Sequence, residues 1–244
     1  KLLANKEKLL SITPKKWTTP FMLINDKGIK VNPYISLKPK WWDKSLKGKG
    51  IILKPNQGSA AKGIIHFKYN LKSKILSQEF FFTNKKEKIS SCIYSAISNP
   101  IDLFKIYKEQ YNNNDLIIAT PYLTQGRKFP KTFPSVVLRI VTFKEEKSST
   151  IKIDSAWFEI PLENTIGIIS IRNKIVPLGL DRISIKQKKY LRHWRSLIRS
   201  NLKDIINDCL QASKVMHSKL PPIDSVAWDW IPTNTNPTLL EGNS

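Results

Sequence analysis

The stretch Ile51–Ile65, IILKPNQGSAAKGII, constrains this chain more than any other. Two β-branched runs flank a loop of small residues; Lys54 leaves the first run and Lys62 sits inside the loop. β-Branched side chains favour extended backbone and small residues favour turns, so the pattern predicts strand, loop, strand. Such a loop sets two ammonium groups beside exposed backbone N–H groups, a combination suited to phosphate. It is not the loop that opens a helix in the common NTPases, because no Gly-Lys-Ser/Thr triplet follows and the exit is strand-like. An ordinary hairpin turn on a basic protein accounts for the same residues.

Composition narrows the choice only a little. At 244 residues, 41% of them apolar, the chain can bury a core as one large domain or as two lobes with a cleft. Lys and Arg number 41 against 19 Asp and Glu, a net +22. This balance favours anionic partners: nucleic acid, acidic glycan, membrane headgroups or nucleotide phosphates. Much of the excess is lysine among many Asn and Ile, which background composition also produces, so the charge permits without specifying. No RNP-like aromatic strand, zinc-finger pairing or helix-turn-helix pattern accompanies it, and no nucleic-acid partner is expected. Cys92 and Cys209 have no metal-ligand spacing and read as free thiols of a reducing compartment. The first residues lack the apolar core of a signal peptide and no run reaches 18 apolar residues, so a cytoplasmic location is expected.

Along the chain, Lys1–Leu10 predicts a short amphipathic helix, and residues 29–50, broken by Pro33, Pro39 and glycines, predict connection more than element. Trp41 and Trp42 are expected to plug an apolar seam there. Strands are expected at 63–69, 75–83, 116–119, 135–143, 151–160, 166–171 and 174–178, with a helix at 101–111. Lys189–Leu220 predicts one long helix, with apolar residues near a 3.6-residue period and Pro221-Pro222 as its stop. His217 at its end reads as a surface or packing residue, and His66 and His193 are equally scattered, so none is assigned to catalysis.

Charged residues on strands say more than further lysines. Arg139 stands between Leu138 and Ile140; it either faces solvent or lines a cleft and pairs with an anion. Asp229 lies in VAWDWI, and Glu241 follows Leu239-Leu240 with Asn243 two residues on. If 225–231 and 238–240 form an antiparallel hairpin, Asp229 faces Glu241, and Glu241 and Asn243 share one side. Two carboxylates and an amide oxygen suit Mg2+, whose shell substrate phosphates normally complete. Solvent-facing polar residues at the end of a domain are the alternative.

With both sites in hand the chain resembles ATP-grasp proteins, most closely the sugar-transfer-associated ATP-grasp family found with polysaccharide biosynthesis. The resemblance rests on ILKP with GSAAKG (52–63), PSVVLRIVT (134–142), SVAWDW (225–230) and LLEGNS (239–244). It implies an α+β fold of two lobes, 1–115 with the phosphate loop and 116–244 with the metal hairpin, and a nucleotide site between them. It implies ATP and Mg2+ as cofactors. Lys54, with the more loosely matched Lys6, would face the nucleotide phosphates, while the loop Gly58, Ser59, Ala60, Ala61, Lys62 and Gly63 closes over them. The strand 116–122 would lie against adenine through Ala119, Thr120 and Tyr122. Arg139 would act with Lys54 on the transferred phosphate, and Asp229, Glu241 and Asn243 would hold Mg2+. Ala60 and Ala61 stand where the family often has Gly, and Ala227 likewise.

The activity implied is that of an ADP-forming carboxylate–amine ligase working through an acyl phosphate. Its expected substrates are a small amine or amino acid and a carboxylate, and it would modify a cell-surface polysaccharide or its sugar precursor. The positive charge would suit an acidic glycan and peripheral contact with an anionic membrane. Two alternatives remain at this stage: ATP-dependent phosphorylation of a small molecule or glycan, and a non-catalytic module binding anionic polymers.

Overall fold

The computed structural model describes residues 3, 5–25, 28–31, 34–35, 40–57, 63–72, 75–80, 86–89, 99–110, 116–130, 132, 135–145, 149–162, 166–171, 175–176, 184–233 and 236–243. The chain divides into two compact units, one of residues 1–11 and 19–123, the other of residues 12–18 and 124–244. Each is a mixed α+β unit built on an antiparallel sheet.

In the first unit the strands are β1 (Met22–Asn25), β2 (Gly28–Val31), β3 (Tyr34–Ile35), β4 (Ile51–Pro55), β5 (Ile65–Asn70), β6 (Ile75–Phe80), β7 (Lys86–Ile89) and β8 (Ile117–Pro121). Their order is β3-β2-β1-β8-β4-β5-β6-β7. Strand alternation sends Met22, Ile24, Ile51, Leu53, Ile65, Phe67, Ile117 and Ala119 to one face. There they meet Trp42 and Leu46 of helix α2 (Trp41–Lys47) and Leu103, Phe104 and Tyr107 of α3 (Pro100–Gln110). The opposite face carries Leu23 and Ile118, packed with Phe21 and with Leu10 of α1 (Lys6–Ile12).

Two sequence expectations change here. Residues 29–50 hold strands and a helix, because fully buried Trp42 and Leu46 are four residues apart and α2 seats both on the sheet. The strand 117–121, expected to begin the second lobe, lies between β1 and β4 and so belongs to the first sheet. Such pairing is non-local and local periodicity does not show it.

The second unit orders β12-β11-β10-β9-β13-β14, where β9 is Val137–Lys144, β10 Ile151–Pro161, β11 Ile166–Ser170, β12 Ile175–Val176, β13 Ser225–Ile231 and β14 Thr238–Asn243. The single long helix expected from the sequence is two: α4 (Ile185–Asn201) and α5 (Lys203–Ser218). They part at Leu202, whose φ of −115° leaves helical geometry while its buried side chain keeps the apolar period. α4 begins at a capping box in which Ser184 and Gln187 exchange hydrogen bonds. Trp17 meets the Trp230 ring edge-on at 6.0 Å, which ties residues 12–18 to this unit.

α5 covers one face of β9, β10 and β13, where Leu138, Ile140, Phe158, Trp228 and Trp230 are buried. A polar knot sits inside this core. Thr142 Oγ1 lies 2.7 Å from His217 Nδ1 and accepts the Trp228 indole N–H at 2.8 Å. His217 Nε2 is 2.9 Å from the Ile223 carbonyl. That oxygen can only accept, so Nε2 is assigned the proton and Nδ1 accepts from Thr142 in the neutral ring. His217 is thus the packing residue expected, held between α5 and β9. Thr142→Val preserves shape but strands both the indole and the imidazole. It should cost about 2–4 kcal/mol in denaturant unfolding, and a loss below about 1 kcal/mol would show that the knot is not holding this core.

Candidate functional site

Lys54 in the first unit and Arg139 in the second lie on the sheet face away from the unit's main helices. In the first, Lys54 pairs in register with Ile118 and so points to the face opposite the large apolar core, together with Ile52, Thr120 and His66. Only 8% of Lys54 is exposed. The chain then leaves β4 through Asn56, a residue the sequence reading passed over. Its N–H donates to the Leu116 carbonyl at 2.9 Å and its side-chain oxygen accepts the Glu7 N–H at 2.9 Å. Its own carbonyl accepts the Lys6 N–H at 3.1 Å. One buried amide therefore ties β4, the start of β8 and the first turn of α1, and it brings Lys6 beside the entrance of the loop. An Asn ending a strand just before a glycine was the available signal.

Gly58, Ser59, Ala60, Ala61 and Lys62 lie outside the described residues. Gly63, where the loop returns, has φ +74° and its carbonyl accepts the Tyr107 hydroxyl at 2.8 Å. A Cβ there would stand 2.9 Å from Pro55 Cγ, so this exit needs glycine both for its dihedral and for its space. On β8, Ala119 faces the core and has strand partners on both edges, which makes it the least suited of the three residues expected near adenine. Pairing with β1 ends at Ala119; Thr120 continues with β4 alone, and the Tyr122 N–H donates to the Gly50 carbonyl at 2.9 Å. The Tyr122 ring lies against His66, 4.6 Å between centroids.

In the second unit β13 and β14 form the expected hairpin, with Asp229 opposite Glu241 and Ala227 opposite Asn243. The register shifts beyond this pair, Trp230 facing Leu239, so Leu240 is an extra residue beside Glu241. On its other edge β13 pairs with β9, which sets Asp229 opposite Arg139. The two form a bidentate ion pair, Nε to Oδ1 at 2.6 Å and Nη2 to Oδ2 at 2.7 Å. Of the two readings of Arg139 from sequence, anion pairing describes this geometry.

Glu159 on β10, which the sequence reading did not single out, holds the guanidinium from the other side, Nη1 to Oε1 at 3.0 Å. Trp157, directly across from Arg139, donates its indole N–H to the same carboxylate at 3.3 Å. Strand alternation relative to Arg139 was the signal that would have found both. Asn243 Nδ2 donates to Glu241 Oε1 at 3.3 Å.

Burial pushes the Asp229 carboxyl up to about 6; hydrogen bonding and charge from Arg139 oppose the rise, and Glu241 and Glu159 add to it. Arg139 is pushed above its ordinary value, first by its hydrogen bond to Asp229, and stays charged. Three carboxylates act on one guanidinium, so an added cation would relieve the excess negative charge. Among the described residues no three His, Cys, Asp or Glu side chains converge to hold a metal unaided. The donor set, Asp229 and Glu241 with the amide of Asn243, fits Mg2+ that arrives with phosphate ligands, and Asp229 would then share its oxygens with Arg139.

No protein-family model matches the chain, and no curated protein matches it in sequence. Solved structures do. A D-alanine–D-alanine ligase from Bacillus anthracis complexed with ATP is similar at TM-score 0.51 and 12% identity, over 99% of this chain and 55% of that one. The PurK N5-carboxyaminoimidazole ribonucleotide synthetase, an ADP complex, is similar at 0.51 and 10%, over 99% and 45%. The Aspergillus clavatus N5-carboxyaminoimidazole synthase, with ADP and its ribonucleotide, is similar at 0.51 and 7%, over 99% and 44%. The chain shares the fold of these ligases and synthetases. The chain spans about half the length of these proteins.

The Asp229 environment has a signed consequence in metal-free protein. The folded chain keeps a proton that an unfolded aspartate releases above about pH 3.9. This contribution to stability is therefore present at low pH and lost as pH rises through about 6. Between about pH 4 and pH 7 the native protein should lose roughly 2–3 kcal/mol relative to Asp229→Asn in denaturant unfolding without divalent cations. A difference that stays flat with pH would contradict the raised carboxyl.

Proposed function

We propose that this chain carries the catalytic lobes of an ATP-dependent, ADP-forming carboxylate–amine ligase. The observation that supports it most is the Arg139–Asp229–Glu159 cluster, with Glu241 and Asn243 in register beside it, on a fold shared with ligases and synthetases solved with ATP or ADP. A carboxylate oxygen attacks the terminal phosphorus of ATP and ADP leaves. An amine then attacks the acyl carbon, phosphate departs and the amine gives up a proton. Mg2+, when bound with the nucleotide, supplies charge neutralisation along the phosphates.

The residues contribute position and charge. Lys54, with Lys6, offsets phosphate charge from a buried face where it is little screened. Arg139 presents a planar guanidinium whose orientation is fixed from two sides, by Asp229 and by Glu159, before any substrate arrives. Asp229, Glu241 and Asn243 would hold the metal, and the acyl phosphate must be kept from water, which would hydrolyse it. No side-chain nucleophile is needed, in keeping with three scattered histidines. For substrates, the resemblance and the positive charge favour a carboxylate on an acidic sugar or glycan and a small amine or amino acid, with cytoplasmic chemistry on a polysaccharide or its precursor.

The test is amine-dependent ADP release together with product mass, using uronic acids against neutral sugars as acceptors. A product heavier by the amine less water supports the ligase, whereas one heavier by a phosphoryl group points to phosphotransfer. Asp229→Ala with Glu241→Ala should lower turnover by about a thousandfold or more while the protein stays folded; full activity would remove the metal assignment. Glu159→Gln should lower kcat by about 10- to 100-fold with little change in KM for ATP, since it removes the charge that holds Arg139 from one side while an amide oxygen can still accept the Trp157 N–H.

A further inference from the structure

We propose that the outward face of α4 docks the protein on an anionic lipid surface. α4 carries Lys186, Lys188, Lys189, Arg192, Arg195 and Arg199 and no acidic residue along its 17 residues. The next helix, α5, with 16 residues, offsets Lys203 and Lys214 with Asp204 and Asp208. Background composition acts on both helices alike, so the excess on α4 has a local cause. Leu191, Trp194 and Ile198 are buried and seat the helix on its unit, while Lys186, Lys188, Lys189, Arg192 and Arg199 are exposed. None of these five has an acidic partner among the described residues. Lys188 and Arg192, four apart, repel each other, as do Arg195 and Arg199. An anionic partner relieves that repulsion.

Ile185 identifies the partner as lipid. It is 87% exposed, the most exposed large apolar side chain among the described residues. At about 100° per residue it falls inside the cationic arc, with Lys188, Arg199 and Arg192 to one side and Lys189 and Lys186 to the other. An aliphatic side chain ringed by cations matches a surface with negative headgroups above hydrocarbon. A nucleic acid offers it nothing, and the aromatic residues of α4 turn the other way. Trp194 is buried, and Tyr190 is half-buried and edge-on to it at 6.4 Å, so neither is set out to stack on bases. No described helix is long and apolar enough to cross a membrane, and the contact proposed is peripheral.

The experiment is co-sedimentation with phosphatidylcholine vesicles, alone or with about 30% phosphatidylglycerol, at low and high salt. Binding should require the anionic lipid and weaken with salt. Lys188→Glu with Arg192→Glu should weaken it roughly tenfold or more, and Ile185→Ser severalfold. Lys203→Glu with Lys219→Glu removes the same charge elsewhere and should leave binding within about twofold. Equal loss in that control pair would overturn the proposal, as would equal binding to neutral vesicles. So would charge-sensitive binding to a duplex DNA fragment without vesicle binding. Far-UV circular dichroism confirms that the exposed-site variants fold. The assay needs no nucleotide, so its outcome does not depend on the ligase reading.

Discussion

The ion pair between Arg139 and Asp229 joins β9 and β13, two neighbouring interior strands of the second sheet, and fixes which residues each strand turns to which face. Asp229 is drawn from water to 4% exposure while Arg139 stays partly exposed, and the geometry is bidentate at 2.6 and 2.7 Å. A slip of β13 by one residue against β9 would send Asp229 into the α5 interface, away from Arg139, and turn Trp228 and Trp230 outward. The apolar core and the charged cluster therefore enforce the same register from opposite sides. A buried pair of this kind is weak evidence for added stability, since desolvation offsets much of the attraction. Its value lies in orientation: the guanidinium plane is fixed by Asp229 on one side and Glu159 on the other.

Both units divide the two faces of their sheets in the same way. Helices α2 and α3 seal one face of the first sheet, and α5 seals one face of the second. The larger apolar core lies on the helix-covered face of each sheet, and Lys54 in one unit and the Arg139 cluster in the other lie on the reverse face, Lys54 beside the smaller core of Leu23, Ile118 and Leu10. Antiparallel sheets tolerate this division because successive side chains alternate in direction, so a charged residue needs only an odd offset from an apolar one.

Much of this was legible in the sequence, and the reasons are specific. The hairpin that sets Asp229 opposite Glu241 could be read because two short apolar strands flank a polar turn, and strand alternation does the rest. The hairpin of β9 and β10 was equally plain. What escaped depends on contacts distant in sequence. β8 looked like the start of a second lobe until its partners β1 and β4 were known. The break at Leu202 is invisible to periodicity because a buried leucine keeps the period while its backbone departs from it. Residues 41–47 read as connection because prolines and glycines surround a helix held mainly by one buried tryptophan and one leucine. Glu159 and Asn56 were missed because their importance lies in the atoms they meet, 20 residues away for Glu159 and 49 for the amide that receives the Glu7 N–H.

The extra residue at Leu240 divides the terminal hairpin into two regimes of tolerance. The turn between β13 and β14 can lengthen or shorten across generations at small entropic cost, since loop closure depends only weakly on length. Beyond the bulge there is no such freedom: losing Gly242 would place Asn243 directly after Glu241 and turn its amide towards the sealed side of the sheet. The turn can thus drift, and even Leu240 can be lost with Leu239 still opposite Trp230 and Glu241 opposite Asp229, whereas a single-codon deletion at Gly242 would part the amide of Asn243 from the carboxylate of Glu241.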